Sequence, residues 1–229
     1  MKTVKVGSWT LLEIILLTSI LLFIILHGII RNDSIIAIIS ATCGILYTFI
    51  AGKGNPICYI FGLTGSGFYC YLAQQNALWG NLVLYSCYYI PMQILGYINW
   101  TKNLQAHKKE IIKIKLPKKD CLEVILFSIL GVIALSIFLY NLKDSHPLLD
   151  SITAIFSIAG LYLTVKRAIE QWLFWMIVNG LSLYMWLQVA ISGARVYSTV
   201  AMWTVYLFLA FYFYFEWKKD ISSKTYPTP

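Results

Sequence analysis

The sequence predicts an all-α polytopic membrane protein with eight spans: two parallel three-helix repeats, one connecting helix and an extra N-terminal helix. The 229-residue chain is 59% hydrophobic and only 12% charged, whereas about a quarter of the residues in soluble domains are charged. Apolar runs long enough to cross a bilayer recur along the chain, and its two halves share a repeated pattern. The predicted spans cover approximately residues 10–30, 35–51, 57–76, 80–100, 121–141, 151–165, 171–192 and 196–217.

The charges predict how these spans are oriented. With both termini in the cytoplasm, fifteen Lys and Arg residues fall on the inner side and three on the outer side, namely Arg31, Lys143 and Arg195. This bias follows the positive-inside rule and supports an even number of spans. The net charge of +8 therefore belongs to loops beside the lipid bilayer, and no nucleic-acid partner is expected.

The first predicted span has the features of an uncleaved signal anchor. Lys2 and Lys5 precede an apolar run that contains Glu13 and has no small-residue cleavage motif behind it. The five cysteines form no CxxC pair, so neither a disulfide framework nor a metal site is predicted. We expect them to be small hydrophobic residues in packed helices.

An internal repeat organises the rest of the chain. The block Asp33-Ser-Ile-Ile-Ala-Ile returns as Asp150-Ser-Ile-Thr-Ala-Ile, 117 residues later. The same gap-free offset gives 15 identities in 68 positions and aligns Trp100 with Trp217. Both aspartates are expected to be helix N-caps. One connecting helix makes the repeat parallel, and transporters built in this way bind substrate between the units near mid-depth.

The predicted domains follow from this repeat. They are an N-terminal transmembrane helix (1–32), a first three-helix repeat (33–100), a basic cytoplasmic linker with the connecting helix (101–149), a second repeat (150–217) and a cytoplasmic tail (218–229).

Local signals refine the first repeat and the linker. Asn55-Pro56 predicts a helix start, and the glycines of the Gly62–Gly67 stretch predict close helix packing rather than a nucleotide loop. Pro91 should kink its span and free a backbone carbonyl. The linker 101–119 has seven lysines in nineteen residues, which predicts a solvated cytoplasmic loop beside anionic lipid.

Two predicted helices carry faces that combine aromatic rings with an amide. Helical spacing brings together Trp172, Trp175, Asn179, Ser182 and Trp186 on one span, and Tyr85, Tyr89, Gln93, Gly96 and Trp100 on another. Further inward rings are expected from Trp203, Tyr206 and Tyr47. Rings that sandwich a flat ligand, with amides that bind hydroxyls, predict a site for a neutral or cationic heteroaromatic nucleoside.

Structural roles compete with this interpretation. Tryptophans near span ends often form interfacial belts, which fits Trp100, Trp172, Trp186 and Trp217 better than Trp175, Tyr89, Trp203 and Tyr206. Gln93 and Asn179 can equally be interhelical hydrogen-bond partners. We therefore expect Trp172 and Trp186 to be interfacial anchors, and Trp175, Asn179 and Ser182 to face a ligand.

The pattern of charges also bears on mechanism. No Asp, Glu, Lys or Arg lies in the middle of a predicted span, whereas proton-coupled carriers usually place an ionisable residue there. The sequence therefore favours passive passage over pumping. It carries no Ser-His-Asp or HExxH pattern and no Walker loop, so neither an enzyme nor a cofactor is expected.

Several blocks resemble the bacterial nicotinamide riboside transporters, the PnuC family. The likeness extends over most of residues 33–219, and it rests on Asn55-Pro56, YYIPMQILGYINW (88–100), WLFWMIVNGLSLYMW (172–186) and VYLFLAFYFYFEWKK (205–219). Two positions depart from the pattern. Phe213 replaces the usual glycine, and Asn179 stands where some relatives carry other polar groups.

The resemblance implies a prokaryotic inner-membrane protein with a SWEET-like three-plus-one-plus-three fold, assembled as a homotrimer. It implies facilitated diffusion of nicotinamide riboside, which a cytoplasmic kinase then phosphorylates. It implies binding by Gln93, Trp175 and Asn179, with Tyr89, Trp203 and Tyr206 as further contacts. Thiamine or riboflavin, which are associated with relatives of this architecture, and a non-transporting scaffold or sensor are the alternatives.

Overall fold

The computed structural model describes residues 5–6, 9–30, 34–75, 79–105, 110–143, 146–192 and 197–223. Within these ranges the chain is almost entirely helical. The helices are α1 (Leu11–Ile30), α2 (Ile35–Gly52), α3 (Cys58–Gln75), α4 (Trp79–Leu84), α5 (Ile90–Lys102), α6 (Lys118–Asn141), α7 (Pro147–Val165), α8 (Gln171–Ile191) and α9 (Tyr197–Ser223). Two short antiparallel strands, β1 (Lys5–Val6) and β2 (Trp9–Thr10), precede them.

The all-helical membrane class is confirmed, and helices occupy each of the predicted spans. Among the described residues, five stretches are long and apolar enough to cross a bilayer: Leu11–Ile30, Ile35–Gly52, Lys118–Asn141, Pro147–Val165 and Val200–Ser223. The remaining predicted spans correspond to α3, to α4 with α5, and to α8.

The chain divides into two compact units, which we call the first unit (residues 1–110) and the second unit (residues 111–229). In the first unit, α2 packs against α1 and α3, and α3 packs against α5. In the second unit, α7 packs against α6 and α8, and α8 packs against α9. In each unit one long helix, α1 or α6, precedes the other helices.

The start of α1 is fixed to the end of α2. Thr10 and Glu13 form a capping box, with the Thr10 N–H donating to Glu13 Oε2 at 2.8 Å and the Glu13 N–H donating to Thr10 Oγ1 at 3.2 Å. Lys53 donates to both Glu13 carboxylate oxygens at 2.9 and 3.0 Å. Trp9 stacks on Phe49 with ring centroids 5.4 Å apart. These contacts tie α1 to the first unit.

The two units repeat one local turn, but at a different offset from the one predicted. Lys53 and Lys166 both end a helix, and Gly54 and Arg167 follow them with φ of 70° and 64°. These pairs lie 113 residues apart, as do the starts of α3 and α8. The gap-free offset of 117 is therefore wrong for the first two helices of each repeat. The offset of 117 applies only to the segments after α3 and α8, where it aligns Trp100 of α5 with Trp217 of α9.

The N-cap prediction changes accordingly. Ser34 is the N-cap of α2, and its hydroxyl accepts from the Ala37 N–H at 3.1 Å. Asp33 lies outside the described residues. Asp150 lies inside the first turn of α7, which begins at Pro147, so its prediction as an N-cap is wrong. Proline at the first helical position starts that helix earlier than the aspartate does.

The predicted distortion near Pro91 takes the form of a π-helical turn. Residues Tyr85–Tyr89 are π-helical, and the Ile90 N–H donates to the Tyr85 carbonyl. Proline lacks an N–H and clashes with the preceding turn, and a wider turn removes the clash. Asn55 also acts as predicted, because its side-chain oxygen accepts from the Ile57 N–H at 3.0 Å just before α3.

Part of the basic linker is packed rather than solvated, which corrects the prediction for residues 111–116. Ile114 pairs with the α7–α8 turn through hydrogen bonds with Arg167 and Ile169 of 3.0 and 2.9 Å. Arg167 Nη1 donates to the Ile112 carbonyl at 3.0 Å, and burial lowers the pKa of this guanidinium. Lys113 pairs with Asp220. A lysine-rich composition did not reveal these contacts.

Candidate functional site

The aromatic–amide face of α8 points into the second unit. Asn179 and Ser182 are 6% and 7% exposed, whereas Leu173 and Ile177 on the opposite side are 41% and 43% exposed. A buried amide is costly unless it has a hydrogen-bond partner. The sequence therefore identified the inward face of this helix correctly, and the amide lies where a ligand or a neighbouring helix must satisfy it.

The tryptophans near the helix ends are packing residues. Trp100 and Trp217 are 0% exposed and Trp172 is 3% exposed, so the prediction of lipid-interface belts is wrong for these three. Trp172 packs edge-on against Trp217 at 5.7 Å and tilts onto Phe213 at 5.5 Å. Phe213 fills space that a glycine would leave open. Trp186 is partly buried.

Trp175 is held by α7. Its indole N–H donates to Thr164 Oγ1 at 3.3 Å. The ring also lies against Gly160, where a Cβ atom would be 3.2 Å from Trp175 Cε2. Trp175 is partly exposed, so its own unit does not enclose it completely.

The candidate residues of α9 form a pair of rings. Trp203 and Tyr206 have centroids 5.9 Å apart in an edge-to-face arrangement. The buried Trp203 Nε1 has no hydrogen-bond partner among the described residues. Buried indole N–H groups usually have a partner, which makes this donor a candidate for ligand contact.

The first unit brings Gln93 and Tyr47 together. Gln93 is 4% exposed, and its Nε2 donates to Ser66 Oγ at 2.9 Å. A Cβ atom on Gly62 would lie 2.6 Å from Gln93 Oε1 and 2.8 Å from Tyr47 Cδ2. Glycine is therefore needed on α3 for these side chains of α5 and α2 to meet. Within the described part of the unit, Gln93 Oε1 and the Tyr47 hydroxyl are buried without a hydrogen-bond partner.

Tyr89, one helical turn before Gln93, belongs to a stack of tyrosines. Tyr85 stacks on Tyr89 at 4.5 Å and contacts Tyr69 of α3 at 4.3 Å. Both Tyr85 and Tyr89 lie in the π-helical turn. The sequence predicted Tyr85 and Tyr89 on one face but gave no signal for Tyr69.

Four neighbours of the candidate residues were not predicted: Ser66, Thr164, Tyr59 and Tyr69. Tyr59 packs edge-on against Trp100 at 5.1 Å, and its buried hydroxyl also has no described partner. An alignment of the two halves at the 113-residue offset would have identified one of them, because it aligns Ser66 with Asn179. Tyr47 and Gly62 correspond in the same way to Gly160 and Trp175.

The chemistry available in both units is neutral. The candidate residues offer ring faces, two amides and several hydroxyl or indole groups, and none carries a formal charge. Among the described residues, no group of three or more His, Cys, Asp or Glu is placed to hold a metal ion. Groups of these kinds can bind a planar ligand by stacking and can recognise its hydroxyl or carboxamide groups by hydrogen bonds.

Comparison with known proteins gives consistent results. Residues 34–219 match the sequence profile of the family described as nicotinamide mononucleotide transporter. The nicotinamide riboside transporter PnuC of Neisseria mucosa is 30% identical over 218 residues, covering 93% of this chain and 83% of that protein. The PnuC of Haemophilus influenzae is 30% identical over 223 residues, covering 96% and 95%.

A solved structure extends the similarity to three dimensions. The crystal structure of the vitamin B3 transporter PnuC matches with a TM-score of 0.80 at 28% identity, covering 94% of each chain. The profile covers most of the chain, and the relatives are named as transporters, which agrees with the prediction that the chain is not an enzyme. The chain is therefore a multi-pass membrane protein of the PnuC transporter family.

Proposed function

We propose that this protein imports nicotinamide riboside for NAD synthesis by facilitated diffusion, through alternating access of its two helical repeats. The single observation that carries the proposal is the inward face of α8, where the partly exposed Trp175 ring lies one turn from the buried Asn179 amide. This face combines an aromatic ring for stacking with an amide for hydrogen bonding, and a pyridinium nucleoside requires both interactions. The membership of the PnuC family supports the choice of substrate class.

Each part of the substrate has a chemical counterpart among the candidate residues. The pyridinium ring is a planar cation, and a cation over an indole or phenol face gains about 0.5–2 kcal/mol. Trp175, Tyr89, Trp203 and Tyr206 supply such faces. The ribose hydroxyls and the carboxamide need hydrogen-bond partners, which Gln93, Asn179, Ser182 and the Tyr47 hydroxyl supply. Each of these eight residues is proposed as a substrate contact.

The buried polar groups favour passive transport. Among the described residues, the buried carboxylates are Glu13 and Glu170, and both lie at helix ends with partners. Gln93, Asn179 and Ser182, which lie within helices, are neutral. Proton coupling generally uses an ionisable group inside the membrane, so we propose that the concentration gradient of the substrate drives transport.

The cellular setting completes the proposal. We propose eight spans in a SWEET-like three-plus-one-plus-three order with an extra N-terminal helix, in the bacterial inner membrane. Both termini are cytoplasmic, in keeping with the charge bias of the loops. The protein forms a homotrimer, and a cytoplasmic riboside kinase traps the substrate by adding a charged phosphate.

Uptake into liposomes tests the proposal. Purified protein is reconstituted without ion gradients, and entry of labelled nicotinamide riboside is followed with thiamine and riboflavin as competitors. We expect saturable entry that stops when internal and external concentrations are equal, and accumulation beyond that point when riboside kinase and ATP are enclosed. Entry that requires a proton or sodium gradient would refute the passive mechanism. Saturable flux of thiamine or riboflavin, without flux of nicotinamide riboside, would show that the vitamin is the substrate. Absence of any flux would favour a scaffold or sensor.

A further inference from the structure

Two consecutive hydrogen bonds through the Thr164 hydroxyl connect α8 to α7 in the second unit. The Thr164 hydroxyl donates to the Gly160 carbonyl at 2.8 Å. Its oxygen accepts from the Trp175 indole N–H at 3.3 Å. An indole nitrogen can only donate and a carbonyl can only accept, so the direction of both bonds is fixed. Thr164 is 2% exposed, so water has little access to the hydroxyl that makes both hydrogen bonds.

The same turn of α7 provides a seat for the ring. Gly160 lies one turn before Thr164, and a Cβ atom there would approach Trp175 Cε2 and Cζ2 to 3.2 and 3.3 Å. The glycine therefore lets the indole lie close to the α7 backbone while the hydroxyl holds its nitrogen. We call Gly160 and Thr164 the indole notch.

The first unit contains a reversed version of this packing. At the equivalent positions, 113 residues earlier, the aromatic residue is on the other helix: Tyr47 of α2 lies against Gly62 of α3. Ala51 occupies the place of Thr164. A glycine thus seats one ring in each repeat, but only the second repeat adds a hydroxyl that fixes the ring through its polar atom.

We propose that Thr164 is a positioning residue for substrate binding, which with Gly160 fixes the Trp175 indole so that it offers its ring face, not its N–H, to the ligand. This inference rests on the proposed role of Trp175 in transport. Because the N–H is already bound, Trp175 selects a planar or cationic ring and does not select a hydrogen-bond acceptor. Within the second unit, specificity for polar substituents then belongs to Asn179 and Ser182 of the same helix.

Substitutions at Thr164 separate this role from simple packing. Thr164→Val keeps the shape of the side chain but removes the acceptor, so the Trp175 indole N–H loses the partner that holds it. The indole then no longer offers its ring face in a fixed orientation, so we expect the affinity for nicotinamide riboside to fall about 5- to 100-fold. Thr164→Ser retains the hydroxyl and keeps the affinity within about twofold of wild type. Thr153→Val is the matched control, because Thr153 bonds to the carbonyls of Leu149 and Asp150 in its own helix.

A double-mutant cycle shows whether Thr164 acts through the indole. In a Trp175→Phe background the N–H is absent, so Thr164→Val should have no further effect on the calorimetric affinity or on the melting temperature of the full-length protein. An undiminished effect of Thr164→Val in that background would overturn the inference, as would wild-type affinity of the Thr164→Val single variant. If Trp175→Phe abolishes binding, the melting temperatures of the four proteins are compared instead. Additive effects of Thr164→Val and Trp175→Phe on the melting temperature would then refute the contact between Thr164 and the indole.

The same experiments distinguish failure of the proposed function. If the wild-type protein binds no nicotinamide riboside, the transport proposal is refuted, and with it the role of the notch in recognising that substrate. Non-additive melting temperatures would then still show that Thr164 holds the indole. If wild type binds and Thr164→Val binds equally well, the transport proposal stands and the positioning role is refuted.

Discussion

The ion pair between Glu13 and Lys53 gives a quantitative prediction about the first unit. The Glu13 and Lys53 side chains are 2% and 14% exposed, and their atoms lie 2.9 Å apart. Removing one partner of a buried ion pair typically costs about 3–5 kcal/mol, because the other charge stays buried and uncompensated. In a domain of this size, each kcal/mol shifts the melting temperature by about 2–4 °C. We therefore expect Glu13→Gln to lower it by about 6–20 °C.

The variants isolate the charge from the helix cap. Glutamine can replace glutamate in a capping box, so Glu13→Gln keeps the acceptor for the Thr10 N–H and removes only the negative charge. Lys53→Met should destabilise similarly. The double variant removes both charges and should recover most of the loss, because neutral pairs often match a buried ion pair in stability. Thermal unfolding in detergent measures all three. Single variants within 2 °C of wild type, or a double variant showing the full sum, would contradict this reasoning.

Two further predictions concern packing. Gly96→Ala should lower the melting temperature, because the added Cβ would lie 2.3 Å from Tyr59 Cζ and such overpacking typically costs about 1–3 kcal/mol. Gly67→Ala is the control and should leave the melting temperature unchanged, because nothing lies within 4 Å of its Cβ. Equal melting temperatures for the two variants would refute the close packing at Gly96. Glu170→Ala should speed tryptic cleavage of the linker several-fold, since its carboxylate accepts a linker N–H at 3.3 Å. The exposed control Glu123→Ala should leave cleavage unchanged, and an unchanged rate in both would contradict docking of the linker.

The sequence predicted the helices and their inward faces well, because both depend on periodic apolar residues. Asn179 and Gln93 stand out as amides within apolar runs, and burial of a polar group strongly constrains where it can lie. Each is buried within its own unit. The roles of these residues in substrate binding remain predictions, since burial fits an interhelical hydrogen bond as well as a ligand contact.

The sequence was misleading where composition does not specify a partner. Trp100 and Trp217 lie near span ends, as interfacial residues do, yet both are fully buried against other rings. The linker is rich in lysine, yet Ile111 is fully buried and Ile114 pairs with the α7–α8 turn. Which ring or backbone group a residue contacts depends on tertiary packing, which periodicity does not encode.

The repeat illustrates the same limit. The matching Asp-Ser-Ile blocks favoured a gap-free offset, but short apolar blocks recur by chance in membrane helices. The equivalent helix-ending turns at Lys53 and Lys166 set the offset instead, through a left-handed residue that follows each of them. Local backbone geometry, rather than side-chain identity, relates the first two helices of each repeat. The correspondence between Ser66 and Asn179 emerges only at this offset.

Uptake of labelled nicotinamide riboside by the Asn179→Ala variant tests the central claim most directly. Asn179 is a buried amide on the inward face of α8, whereas Asn141 is exposed at the end of α6 and bonds to the Ile137 carbonyl of its own helix. In liposomes with equal amounts of folded protein, we expect saturable uptake for wild type and Asn141→Ala, and none above protein-free liposomes for Asn179→Ala. Wild-type uptake by Asn179→Ala would contradict the assignment of the site.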